Sequence, residues 1–130
     1  MVREVLDLHR RFGVDGFFFI DDLFTLRKEN VIAFCRLLEE SGANMIWGCS
    51  SRVNTLSREM LSAMSKAGCV QIDFGVEKGS DEALAKIHKG ITVEQIRRAF
   101  GWCREFRIRT FANIIVNTPG ETQQDLQDSI

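Results

Sequence analysis

Polar groups able to grip a ligand stand at four points of this chain, each directly after an apolar run. Asp21 and Asp22 follow GFFFI, Ser50 to Arg52 follow MIWGC, Glu77 follows VQIDFGV, and Asn117 to Glu121 follow NIIV. Such runs are strand candidates, and in parallel α/β folds ligands and chemistry gather at strand ends. Two adjacent carboxylates on a continuing strand point to opposite sides, so one can face a ligand while the other caps the next turn. The Arg52 guanidinium can hold a carboxylate or phosphate through two parallel hydrogen bonds, with the hydroxyls of Ser50 and Ser51 beside it. Gly75 lets a ligand approach the backbone, and Glu77 offers acceptors to hydroxyl or ammonium groups. The backbone amides of Val116 to Thr118 can read the edge of an adenine or another flat ring.

Each feature also has a plainer reading. The two acids can simply open a loop and helix, and Arg52 can pair with a neighbouring Asp or Glu. Lys78 can pair with Glu77 at the surface, and the turn at Asn117, Pro119 and Gly120 can be an ordinary strand-to-helix connection. His9 and His88 have no partner at metal or triad spacing and read as solvated.

The elements that must position these groups follow from periodicity. Apolar runs alternate with amphipathic ones from end to end, the pattern of βα units in a parallel sheet. The spacing predicts strands over residues 16–20, 45–48, 70–74 and 110–116, and helices over 3–12, 28–41, 58–66, 80–88, 92–106 and from 121 onward. Gly13, Gly42 and Gly68 act as stops, while Ser57, Ser80 or Asp81, and Thr92 act as caps. Val31, Phe34, Cys35 and Leu38 form the apolar stripe of the second helix, and the uninterrupted apolarity of GFFFI predicts a strand covered on both faces. A βα unit of roughly 25 to 30 residues repeats in barrels and open sheets alike, and four strands are too few for a closed eight-stranded barrel of ~200 residues or more. The fold class is therefore α/β, as a small open sheet or part of a larger barrel. The final segment begins like a helix and then ends, as if cut inside an element.

Composition narrows the function. A chain of 130 residues with 45% hydrophobic content buries a real core and forms one domain. Its 17 basic residues against 18 acidic ones give a net charge of −1, which offers no broad field for nucleic acid or an anionic membrane. Arg97, Arg98, Arg104, Arg107 and Arg109 read as a solvated helical face. The start has no signal-like core and there is no membrane-length run, so a reducing cytoplasm is expected. Cys35, Cys49, Cys69 and Cys103 make no CxxC or CxxxCxxC grouping, predict no metal site, and read as small buried hydrophobes without disulfides.

In order, IDDLF, SSRVN, AGCVQIDFGVEKGS, HKGITVEQ and NIIVNTPGET resemble the radical S-adenosylmethionine (radical SAM) superfamily. The branch is the one that holds the methylthiotransferases, Elongator-type enzymes and cobalamin-dependent cyclases and methyltransferases. The spelling DD-L-F with AGC, GVEKGS and KG is most similar to cobalamin-linked members, such as the anaerobic magnesium-protoporphyrin monomethyl ester cyclase group. The resemblance implies a partial (β/α) barrel, with this chain spanning the second to fifth strands as an internal fragment of 1–130. It also implies S-adenosylmethionine and a [4Fe-4S] cluster as cofactors, with cobalamin a further candidate. The CxxxCxxC cluster loop would lie before Met1. In such enzymes the reduced cluster cleaves S-adenosylmethionine to a 5′-deoxyadenosyl radical, so a fragment without the loop is expected to be inactive.

Carried over by motif, Asp21 and Asp22 fall where the family meets the methionine amino group, and Arg52 where it pairs with the methionine carboxylate. Glu77 falls at the acid that meets the ribose or amino group, and Ile115, Val116 and Asn117 at the backbone that contacts adenine. Asn117 replaces the usual glycine and can still adopt a left-handed conformation. The competing readings are a cluster-free barrel lyase or hydrolase using Asp22 and Glu77 as acid and base, and an α/β binding module without catalysis. The substrate is not legible. A barrel fragment with two open edges is expected to self-associate.

Overall fold

The computed structural model describes residues 1–21 and 24–130. Strands β1 (Gly16–Phe19), β2 (Ile46–Ser51), β3 (Cys69–Glu77) and β4 (Arg109–Ile114) alternate with helices α1 (Val2–Phe12), α2 (Lys28–Glu40), α3 (Arg58–Lys66), α4 (Asp81–Lys86), α5 (Val93–Glu105) and α6 (Gln123–Gln127). A 3-10 turn over Phe24–Leu26 leads into α2. All neighbouring strands pair in parallel, in the order β1-β2-β3-β4.

That order decides between the two architectures the sequence left open. Crossovers between parallel strands are right-handed, so strands added one after another in a single direction place every crossover helix on the same side. This is the winding of a (β/α) barrel, and the chain is a partial one. Helices α1 and α2, α2 and α3, and α3 and α5 pack side by side as one layer. No helix among the described residues is long and apolar enough to cross a membrane.

Local chemistry sets the helix ends. Ser57, Ser80 and Thr92 accept hydrogen bonds from the amides of Met60, Ala83 and Gln95, and the Gln95 side-chain oxygen in turn accepts from the Thr92 amide. Gly13 closes α1 in the left-handed conformation (φ 64°). The predicted stripe of α2 is its buried set: Val31, Phe34, Cys35 and Leu38.

The core lies between the sheet and this helix layer. Trp47 is stacked on Phe17 and meets Phe19, Phe24 and Phe34 edge-on, and its indole N–H donates to the Ala67 carbonyl at 2.8 Å. Such ring pairs contribute roughly 0.5–1.5 kcal/mol each beyond their buried area. The expectation that β1 is covered on both faces is overturned. Phe17 and Phe19 pack on the core, but Phe18 is 41% and Ile20 83% exposed, because one-directional winding leaves the second face without helices.

Two strands run further than their apolar runs. β2 continues through Ser50 and Ser51, and β3 through Gly75 to Glu77, since paired backbone does not require apolar side chains. β4 ends earlier than expected, at Ile114, so residues 115–117 follow the strand. α6 covers only Gln123–Gln127 and is capped by Thr122 rather than opened by Glu121.

Candidate functional site

The site begins with the alternation of β3. Its even positions Ile72, Phe74 and Val76 are buried in the core, while Gln71, Asp73, Gly75 and Glu77 fall between them on the open face. Gln71 donates to Asp73 at 2.9 Å, which orients that carboxylate. Asp73, Gly75 and Glu77 line a cavity of about 550 Å³ together with Ser50, Ser51, Arg52, His88, Lys89 and Asn113. It lies at the C-terminal ends of the strands, the end where barrels bind ligands.

Two cations and two anions meet there. Lys89 donates to Glu77 at 2.9 Å, and Arg52 donates to the Lys89 carbonyl at 3.3 Å. The contact found for Arg52 is thus a backbone carbonyl on the loop after α4, and not the neighbouring carboxylate that ordinary pairing predicts. Gly75 leaves room for this pair: a Cβ there would stand 2.8 Å from Glu77 Oε1 and 2.9 Å from Lys89 Nζ, so the two side-chain ends would have to shift. Both serines line the cavity, but the Ser51 hydroxyl is buried in a cluster with that of Thr25 at 2.7 Å and that of Thr55, which anchors the fold.

Glu77 sits at φ 72°. A non-glycine residue held there costs on the order of 1–3 kcal/mol and persists where its surroundings over-determine it. A β-bulge between Gly75 and Glu77 and a 3.1 Å bond from the Ile115 amide to the Glu77 carbonyl hold it. The next residue overturns the surface-filler reading. Lys78 is 1% exposed and pairs with Glu121, not Glu77, and the other oxygen of Glu121 accepts the Asn117 amide. Hydrogen bonding to Lys78 holds the Glu121 carboxyl below its ordinary value. Asn117 takes the left-handed conformation expected of it, at φ 63°.

The fold brings together Arg52 and Glu77 among the predicted residues. It does not bring Asp21 to them: Asp21 lines a separate cavity of about 550 Å³ between α1 and α2, with Arg3, Asn30 and Phe34. Asp22 lies outside the described residues. Ile115 and Val116 are exposed, and within residues 115–117 the amides of Ile115 and Asn117 are already engaged by Glu77 and Glu121. Of the amides of Val116 to Thr118 expected to read an adenine, that of Asn117 is the one bonded to Glu121.

Sequence reasoning missed Asp73, Lys89 and Asn113; His88, read as solvated, is exposed where it lines the cavity, at φ 53°. Polar residues at every second position of VQIDFGVE were the available signal for Asp73. Lys89 and Asn113 fall within the motifs HKGITVEQ and NIIVNTPGET but received no site role there, and they reach the cavity from other units. His9 is half-buried, and its Nδ1 lies 2.9 Å from the Val14 carbonyl oxygen.

The radical SAM superfamily model matches residues 1–130, the whole chain. The chain belongs to the radical SAM superfamily. It is 32% identical over 130 residues to an uncharacterized methyltransferase of Pyrococcus horikoshii, covering 100% of this chain and 28% of that protein. It is 28% identical over 131 residues to the anaerobic magnesium-protoporphyrin IX monomethyl ester cyclase of Rubrivivax gelatinosus, covering 99% of this chain and 24% of that one. The chain thus spans about a quarter of these relatives. The radical S-adenosylmethionine methyltransferase TsrM from Kitasatospora setae, solved with cobalamin and a [4Fe-4S] cluster, superposes with a TM-score of 0.84 at 22% identity, over 98% of this chain and 25% of that one. That likeness establishes the shared radical SAM fold.

A radical SAM cluster needs thiolates, and the cysteines of this segment do not fit it. All four are buried. Burial pushes the Cys35 and Cys103 thiols up to about 12, and Cys49 is raised by its hydrogen bond with Cys69 and by burial. No group of three metal-binding side chains occurs among the described residues. The cavity at Arg52 and Glu77 is a different case, since its paired charges suit a zwitterion.

Proposed function

We propose that this chain forms part of the S-adenosylmethionine cradle of a radical SAM enzyme. Arg52 takes the methionine carboxylate, and Glu77 takes the methionine ammonium or a ribose hydroxyl. The observation that carries this reading is the convergence of Arg52, Asp73, Glu77 and Lys89 on one strand-end cavity. An amino-acid end presents one carboxylate and one ammonium, and fixed charges of both signs complement it. The Glu77–Lys89 pair keeps both charges compensated until a ligand enters. With the adenine placed toward residues 115–117, Ile115, Val116 and Asn117 offer carbonyls and the Asn117 turn as its border.

When bound, the cofactors of this family supply a one-electron reductive cleavage of S-adenosylmethionine. The residues of this chain orient the molecule and exclude water from its charged end. The named relatives support methyl transfer or oxidative ring formation as the reaction of the whole protein, with cobalamin as a further cofactor in the manner of TsrM. We place the protein in the cytoplasm, where iron–sulfur chemistry and free thiols persist. No nucleic-acid partner is proposed, in keeping with the net charge of −1.

Calorimetric titration of the 130-residue chain with S-adenosylmethionine tests the cradle. Binding that weakens at least about tenfold in both Arg52→Gln and Glu77→Ala is expected, the size of losing one charge-assisted contact. Unchanged affinity in Glu77→Ala overturns the reading.

A further inference from the structure

We propose that the buried Lys78–Glu121 pair is a positioning latch that sets S-adenosylmethionine affinity without touching the molecule. It does so by fixing the backbone of Glu77, which lines the cavity, and of the Asn117 turn after β4. The inference rests on the cradle reading above. A lysine side chain 1% exposed needs a charged partner, and Lys78 finds it 43 residues away, on the segment after β4. One oxygen of Glu121 takes the Lys78 ammonium and the other takes the Asn117 amide, while the Glu121 amide donates to the Thr118 carbonyl at 3.0 Å. A single carboxylate therefore ties the end of β3 to the turn that follows β4.

Two of the non-glycine residues in the left-handed region flank the latch, Glu77 at φ 72° and Asn117 at φ 63°. Left-handed Glu77 lets consecutive side chains part: Glu77 goes to the cavity and Lys78 to the buried pair. The Ile115 amide, donating to the Glu77 carbonyl at 3.1 Å, couples the two strand ends directly. Mere anchoring of the last residues does not account for the pair. They are also held by Lys86 to Asp125 at 3.1 Å and by the Gly79 amide to Ser129 at 3.0 Å, neither of which touches Asn117 or Glu77.

The test compares Lys78→Met/Glu121→Leu with Lys86→Met in the whole 130-residue chain. Amide hydrogen exchange at Ile115 and titration with S-adenosylmethionine are the readouts. The double variant leaves no buried charge unpaired, so its melting temperature stays near that of the parent. Its Ile115 exchange is expected to rise at least about tenfold and its affinity to fall about tenfold, while Lys86→Met leaves both near the parent values. Glu121→Gln, which keeps an acceptor for the Asn117 amide but loses the charge, gives a smaller shift in the same direction and serves where the double variant does not fold. Unchanged Ile115 exchange, or an equal shift in Lys86→Met, overturns the latch. If the parent chain binds no S-adenosylmethionine, the cradle reading fails, and Ile115 exchange alone decides the latch.

Discussion

Along β3, Ile72, Phe74 and Val76 point into the helix layer and are buried, while Gln71, Asp73, Gly75 and Glu77 stand between them on the other face. The same contrast runs across the sheet. Phe17, Trp47 and Cys49 enter the core, whereas Phe18 and Phe111 are exposed and Ser50 and Asn113 line the cavity. The covered face holds the aromatic cluster around Trp47 and supplies most of the stability. The open face holds charges and hydroxyls whose removal would cost the fold little. One set of strands thus performs two tasks because successive side chains alternate faces, and stability can be tuned on one face without disturbing chemistry on the other.

Predictions follow from breaking each side of that contrast. Trp47→Ala deletes the centre of the covered face and is expected to lose about 3–5 kcal/mol in urea unfolding. A loss under 1 kcal/mol would mean that the aromatic cluster is not the main stabilising element. Acid acts next, at the rim between the faces. Lys78 lowers the Glu121 carboxyl, and hydrogen bonds from Thr122, then Lys86, lower Asp125. Groups lowered on folding stabilise above their ordinary values, here 4.5 and 3.8, and that contribution disappears as pH falls through the lower folded values. Hydrogen exchange of residues 123–130 should therefore hold steady down to about pH 4.5 and rise below it, before the core opens. Simultaneous release with the core would deny the terminal segment its own ionic anchor.

On the open face, Glu77→Gln is expected to change unfolding stability by about 1 kcal/mol or less while weakening S-adenosylmethionine binding. A large stability loss with intact binding would reverse the assignment of the faces. The smallest effect is that of Phe111→Ser, within about 0.5 kcal/mol in stability. We propose that the free edges of β1 and β4 and the exposed Phe18 and Phe111 make the isolated chain self-associate. Phe111→Ser should lower its mass by light scattering, and a monomeric parent at high concentration would remove that proposal.

Much of the fold was legible. The stripe of α2, the caps at Ser57, Ser80 and Thr92, and the stop at Gly13 depend on near neighbours in sequence, which is why pattern reading located them. Strand ends were less legible. Ser50, Ser51 and Glu77 are polar, and their pairing is decided by the neighbouring strand rather than by their own type. Within the site, Arg52 and Glu77 were found from their places after apolar runs. Lys89 lies 12 residues from Glu77 and 37 from Arg52, too far for local spacing to mark it.

The sequence by itself determined the α/β class, the alternation of units and the superfamily, because periodicity, caps and ordered motifs are local properties of the chain. Only the tertiary structure decided that the helices share one side, that β1 has a bare face, that Asp21 and Glu77 line different cavities, and that Lys78 is buried against Glu121. Those outcomes depend on strand order and on contacts between residues distant in the chain. Close packing and charge burial select such contacts only once the whole sheet is assembled.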